Sequence, residues 1–100
     1  MNLQQQINAM VRLAILRILL EDNGHSQNHE IMTSAIDTAT AQSLTYEQMK
    51  KHFAWLEDQK LISTEFVGRF VMAELTRKGI NVAQGKEVVP GVDKLGPEDR

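Results

Sequence analysis

A change of hydrophobic period in the middle of the chain constrains the fold more than any other feature. A helix begins at a capping box formed by Thr45 and Gln48 and carries its apolar side chains on one face. The two apolar runs that follow, residues 61–66 and 70–75, are short and are separated by a turn that contains Gly68. A helix that leads directly into a tight β-hairpin is therefore predicted at the centre of the fold.

Helical spacing on both sides of this unit predicts three further helices. They run from about Leu3 to Glu21, from Asn28 to Ala41 and from Arg77 to Gln84. Residues 87–100 match neither period and are predicted to form an extended C-terminal arm. The predicted fold class is mostly α with a small β-hairpin, a winged helix-turn-helix (helix-helix-helix-hairpin-helix) over residues 1–86, followed by the arm at 87–100.

The first helix is apolar on nearly every side in its second half. One stripe follows helical spacing and is assigned to the core of the domain: Ile7, Val11, Ala14 and Ile18. Leu13, Leu16 and Leu20 fall outside this stripe, and three leucines in water would make an unusual apolar patch. We therefore expect Leu13, Leu16 and Leu20 to form the interface of a homodimer. The alternative is that Ile80 and Val82 of the last helix cover them within one chain.

The arm carries a few apolar side chains on a segment with no strand or helix partner of its own. Val88, Val89 and Val92 are expected to pack across a groove, either on the same chain or on a second subunit. Residues 98–100 are expected to stay mobile.

Charge is distributed unevenly along the chain, whose net charge is −2. Residues 21–58 carry two lysines and seven acids, whereas residues 59–86 carry five basic side chains and two acids. A nucleic-acid-binding protein usually presents a basic surface. Any such surface here has to come from the second segment, with help from Lys50 and Lys51.

No set of residues indicates catalysis, a cofactor or a metal site. His25 and His29 lie four residues apart, but no cysteine or third histidine is close to them, and a polar turn before a helix explains them better. Trp55 lies at the boundary of an apolar face and is expected to pack under the hairpin. The chain is therefore predicted to be a binding protein, not an enzyme, with no cofactor and no metal.

Two sets of residues resemble known families. Residues 52–62 (HFAWLEDQKLI) and 75–79 (LTRKG) resemble the segments that flank the wing in bacterial regulators of the ArsR and MarR type. Residues 75–86 (LTRKGINVAQGK), followed by VVPGV at 88–92, are similar to a family of small proteins of Mu-like phages and prophages. With no cysteine and no run of about 20 apolar residues, such a protein is expected in the cytoplasm of the bacterial host, with no membrane contact.

The resemblance implies that the third helix enters the DNA major groove and that the wing contacts the backbone or the minor groove. On this sequence the base-reading candidates are Gln48, Lys51 and His52, with Lys50 as a phosphate or base contact. Arg69 at the wing tip is the candidate backbone or minor-groove contact.

Two functions of different kinds follow from these observations. The first is a homodimeric phage protein that binds double-stranded DNA as a small transcriptional regulator. The alternative is a protein–protein adaptor that uses its winged helix to bind another phage protein in DNA packaging or morphogenesis. The basic segment 59–86 favours the first function, and the acidic segment 21–58 favours the second.

Overall fold

The computed structural model describes residues 1–96. Over that range, four helices and three strands follow one another along the chain. The helices are α1 (Leu3–Glu21), α2 (His29–Thr40), α3 (Tyr46–Asp58) and α4 (Arg77–Ala83), and the strands are β1 (Ser26–Asn28), β2 (Ile62–Val67) and β3 (Phe70–Leu75). The predicted succession of three helices, a hairpin and a fourth helix is confirmed, and the result is a mixed α/β domain with an antiparallel sheet.

Strand β1 is the element that the sequence did not predict. It is three residues long and pairs with β3 on the side opposite β2, so that the sheet has the order β1-β3-β2. A strand this short leaves no alternating pattern to detect. It leads directly into α2, whose first residue, the buried His29, accepts a hydrogen bond at Nδ1 from the Val71 N–H at 3.1 Å. The start of α2 is therefore fixed to the sheet.

The hairpin of β2 and β3 is closed by Gly68 and Arg69. Gly68 has a φ of +61° at the first position of this two-residue loop, where a type II′ turn requires glycine. On the free edge of β2, the Thr64 N–H and hydroxyl donate hydrogen bonds of 2.9 and 2.8 Å to the Glu57 carboxylate of α3. Helix α3 is thereby tied to the edge of the sheet.

The core forms around α1, which contacts α2, α4 and β3. Most of its largest fully buried apolar side chains come from α1, α2 and α3, and two come from the start of the hairpin: Val11, Ile15, Leu16, Leu19, Met32, Ile36, Met49, Phe53, Leu56, Leu61 and Ile62. Complete burial of one such side chain stabilises the fold by about 1.5–3 kcal/mol. The capping box of Thr45 and Gln48 is present as predicted and fixes the start of α3 against this core.

The sides of α1 differ in part from those assigned from the sequence, because Val11 is buried as predicted but Leu16 is fully buried as well. Leu16 is fully buried in a single chain, and Leu13 and Leu20 pack against the same core. The prediction that these three leucines face a second chain is therefore wrong for Leu16, and it stays a prediction for the half-buried Leu13 and Leu20. The apolar stripe left on the outside begins at Leu3, which is 71% exposed, and continues through Ile7 to Ala14, which are half-buried.

The arm and α4 supply the cover for the leucines. The Asp93 N–H donates a hydrogen bond of 3.1 Å to the Ala9 carbonyl of α1. Ala9 lies one helical turn before Leu13 and two before Leu16, so the arm runs along their side of the helix. Helix α4 contacts α1 as well, with Val82 in the shared core. The alternative stated for the sequence, cover within one chain, describes this arrangement.

The arm packs on its own chain. Val89 and Val92 belong to the core cluster, and Leu95 is buried to a similar degree. Val88 is 61% exposed, so the prediction for this residue is wrong. The last part of the arm, including residues 98–100, lies outside the described residues.

Candidate functional site

The outward face of α3 carries two of the predicted DNA contacts, Gln48 and Lys51. Both are exposed and lie three residues apart, one turn along the helix. Lys50 is half-buried on the neighbouring side, where its Nζ lies 3.2 Å from Glu47 Oε1. The charge of Lys50 is therefore already balanced by a carboxylate, whereas Lys51 makes no ion pair with the residues of the described range.

His52 is not available for reading a base. Its side chain is buried, with 8% of the residue exposed, and its Nδ1 accepts a hydrogen bond of 3.3 Å from Nε of Arg12 on α1. Burial, and after it the charge of Arg12, lowers the pKa of His52 to about 4. The prediction that His52 reads a base from the outer face of α3 does not fit this burial, because the ring accepts from Arg12 within the protein and has only its Nε2 N–H left in the lining of the groove.

Arg12 is the central residue of the site, and the sequence analysis missed it. Its Nη1 donates to the Gly91 carbonyl of the arm at 3.2 Å, and its guanidinium lies 3.9 Å from the centre of the Trp55 ring. With His52, these contacts join α1, α3 and the arm at one point. Its signal in the sequence is a charged side chain in the apolar part of α1, a feature that it shares with Arg17.

Trp55 does not pack under the hairpin as predicted. Besides the guanidinium of Arg12, its ring borders the arm at Gly91, where an added Cβ would lie 2.6 Å from Cζ2. Gly91 also has a φ of +91°, which other residues adopt at a cost. Glycine at position 91 is therefore required both by the backbone and by the closeness of the indole.

A groove of about 430 Å³ runs between α1 and α3 beside this cluster. Its lining comes from α1, α3 and the connection before α3: Gln4, Asn8, Arg12, Leu44, Gln48, Lys51, His52 and Trp55. These side chains include two cations and three amides, and they include no carboxylate. Two other depressions differ in this respect, since one contains Glu65 and Glu74 and the other contains Glu30.

Arg69 lies at a second surface, away from the groove. Its Nε and Nη2 donate to the two carboxylate oxygens of Glu30 at 3.1 Å each, and its guanidinium lies 4.7 Å from the centre of the Phe70 ring. The structure therefore divides the predicted set. Gln48 and Lys51 share the α1–α3 groove with the buried His52, while Arg69 belongs to the wing.

The wing surface is largely apolar. Phe66 is 78% exposed next to Val67, and Ile31 and Tyr46 at the starts of α2 and α3 are exposed as well. Tyr46 also packs edge-on against His29, with 5.6 Å between ring centres. Burial lowers the pKa of His29, which has a structural position between α2 and β3. Among residues 1–96, no three histidine, cysteine or acidic side chains converge as a metal site would require.

The fold and the groove define a small α/β protein with a carboxylate-free cleft between its first and third helices. No protein-family model matches the sequence. The chain is 31% identical over 86 residues to the uncharacterized protein gp26 of Escherichia phage Mu, a match that covers 86% of this chain and 88% of that protein. The chain therefore belongs to the phage Mu gp26 family, and the predicted relation to Mu-like phage proteins is confirmed. Within the described range, no helix is long and apolar enough to cross a membrane.

Proposed function

We propose that this chain is a winged-helix DNA-binding protein of Mu-like phages in which α3 contacts the duplex through Gln48 and Lys51. The order of elements supports the winged-helix assignment. A short strand leads into α2, α3 follows, and the β2–β3 hairpin stands in the place of a wing. In such domains, the exposed face of the third helix is the part that enters the major groove.

The observation that carries the proposal is the chemistry of the exposed face of α3 where it meets the groove. Gln48 and Lys51 are exposed there, next to further amides and a guanidinium, with no carboxylate in the lining. Glutamine can make paired hydrogen bonds to adenine, and lysine can bind guanine or a phosphate. A polar surface of this kind is better suited to binding a nucleic acid than to binding an apolar protein surface.

The roles of the other predicted contacts change in this proposal. Lys50 and Arg69 are paired with Glu47 and Glu30, so each contributes little net charge to DNA binding. His52 acts from inside by holding Arg12. A transcriptional regulator that pairs on a palindromic site would bring two α3 helices to successive turns of the duplex. The outer stripe of α1 that begins at Leu3, and not the buried Leu16, is the apolar face open for such pairing.

A second candidate function is a protein–protein adaptor, and the wing surface favours it. Phe66 and Val67, on opposite faces of β2, are exposed together with Ile31 of α2, and exposed apolar side chains often mark protein-binding surfaces. This surface and the α1–α3 groove consist of different residues, so the two functions can be tested separately.

DNA binding is tested by fluorescence anisotropy of labelled duplexes, both random and phage-derived, over a range of salt concentrations. We expect binding that weakens with salt, and we expect Lys51→Gln to flatten the log–log salt dependence by about 0.9 for one lost phosphate contact. Lys60→Gln removes the same charge from an exposed position outside the groove and serves as the matched control.

The outcomes separate the two functions. Phe66→Ser should leave duplex binding unchanged, because this apolar side chain lies outside the α1–α3 groove and offers no hydrogen bond or charge to a phosphate. Equal log–log salt slopes for Lys51→Gln and Lys60→Gln would show that α3 does not contact the duplex. No duplex binding even at low salt would contradict the proposal and leave the adaptor as the better account.

A further inference from the structure

Arg12 carries a positive charge for which residues 1–96 supply no counter-ion. Its contacts are the neutral ring of His52, the Gly91 carbonyl and the face of the Trp55 ring. No carboxylate of residues 1–96 pairs with it, and burial alone lowers its pKa. A partly buried cation without an anion is unfavourable, so such a site is stabilised by an anionic ligand.

The groove also holds more hydrogen-bond donors than the protein uses. His52 accepts at Nδ1, so its neutral ring carries the proton on Nε2. Gln48 accepts the Thr45 N–H at Oε1, which leaves its NH₂ group for other partners. The Nη2 of Arg12 is likewise unused by the hydrogen bonds that hold its Nε and Nη1. Lys51 adds an ammonium group at the edge.

We propose that the α1–α3 groove binds a phosphate group, with Arg12 and Lys51 supplying the charge and Gln48 and His52 supplying N–H donors. Phosphate oxygens are acceptors only at neutral pH, and they match an arginine and several neutral donors well. The groove volume of about 430 Å³ is large enough for a phosphate together with its sugar.

The phosphate can come from either of two sources, the backbone of a DNA duplex or a free phosphate ester. Naming the duplex as the source deepens the proposed function and rests on it. The phosphate site itself does not depend on DNA binding, because Arg12 has no anionic partner among residues 1–96 whichever molecule brings the phosphate.

Trp55 provides a direct readout, because it is the only tryptophan of the sequence and stacks on Arg12. Its fluorescence is followed while the intact protein is titrated with inorganic phosphate, with a nucleoside monophosphate and with a short duplex. Sodium acetate and sodium chloride at matched ionic strength are the controls. We expect a saturable change with the phosphate compounds and none with chloride or acetate.

Two variants test the groove directly. Arg12→Gln and Lys51→Gln should each weaken the phosphate response about tenfold, the effect of one charge-assisted hydrogen bond, while Lys60→Gln leaves it unchanged. Lys51 is exposed and outside the core, so its variant keeps the test valid if Arg12→Gln fails to fold.

Each remaining outcome bears on one of the two proposals. No response of Trp55 to any phosphate compound, or an equal response to acetate, would overturn the phosphate site. Duplex binding seen by anisotropy without a Trp55 response, and equal in Lys51→Gln and Lys60→Gln, would overturn the site while DNA binding stands. Binding of phosphate or nucleotide without any duplex binding would keep the site and contradict the proposed function.

Discussion

Arg12 in the groove and Arg69 on the wing are held in similar ways and differ in one respect. Each lies against an aromatic ring, Arg12 at 3.9 Å from the centre of Trp55 and Arg69 at 4.7 Å from that of Phe70. Arg69 also has both oxygens of Glu30, whereas Arg12 has only neutral partners within residues 1–96. The charge of the exposed Arg69, which water could solvate, is neutralised by a carboxylate. The charge of the half-buried Arg12 is not neutralised by any of residues 1–96.

This contrast shows where the protein has net charge to offer a ligand. An exposed ion pair adds little stability and little field. A cation held among neutral groups in a less polar environment keeps most of its field and attracts anions more strongly. On the phosphate-site proposal, the groove attracts polyanions more strongly than the wing does, although the wing displays its arginine more openly.

The largest expected effect comes from the glycines that border the two arginine sites. Gly91→Ala should destabilise the fold by about 3 kcal/mol, because it adds backbone strain and a Cβ that meets Trp55. Gly68→Ala on the wing should cost only about 1 kcal/mol, since its φ is also positive but no atom lies within 4 Å of the new Cβ. Urea unfolding of both variants measures the difference. Equal losses would mean that the arm does not press on the indole.

The next effect is the dependence of stability on pH through His52. Its pKa of about 4 in the folded protein lies below its ordinary value of 6.5, so the unfolded chain takes up the proton first as the pH falls. The free energy of unfolding should therefore decrease by about 3 kcal/mol between pH 6.5 and pH 4 on account of this residue. The contribution of His52 to the free energy of unfolding should be fully retained above pH 6.5.

His52→Gln is the matched variant for this measurement. The glutamine carbonyl can still accept from Arg12 Nε but takes up no proton. Urea unfolding as a function of pH should therefore give a flatter profile than that of the unmodified protein. The pH dependence that remains in the variant includes a contribution from His29, because burial also lowers the pKa of that residue. Identical profiles would show that His52 is not held neutral in the folded protein.

The smallest expected effect is the ion pair on the wing. A double-mutant cycle with Arg69→Gln and Glu30→Gln should give a coupling of below about 1 kcal/mol, because the Arg69 side chain is 73% exposed. The coupling should decrease further with added salt. A coupling of several kcal/mol would indicate that the wing is closed over α2 more tightly than this exposure allows.

Local signals predicted much of the fold. The capping box at Thr45 and Gln48 and the glycine turn at Gly68 depend on neighbours within a few residues, and both occur as predicted. The sides of α1 do not follow from local pattern, because a helix that is apolar all round carries no information about which side faces inward. That choice depends on the elements that pack on α1 from later in the chain, which are α2, α4, β3 and the arm.

The candidate site was predicted only in part for the same reason. Gln48 and Lys51 follow from the exposed face of α3, which local spacing determines. Helical spacing places His52 on the side of α3 that carries Met49 and Phe53, and Lys51 on the opposite side, so the burial of His52 could be predicted from α3. Its partner Arg12, 40 residues earlier, could not.

The hydrogen bonds between Glu57 and Thr64 have a consequence for how copies of this protein behave when crowded together. An edge strand with a free backbone N–H is a template on which another chain can add a strand and begin an aggregate. At Thr64 that donor is already taken by the Glu57 carboxylate, whose negative charge also repels the carbonyl oxygens of an arriving strand. Replacing Glu57 with glutamine would keep the shape of the side chain but remove the charge that protects the edge of β2. Sheet-rich aggregation should therefore begin sooner in the variant at high protein concentration.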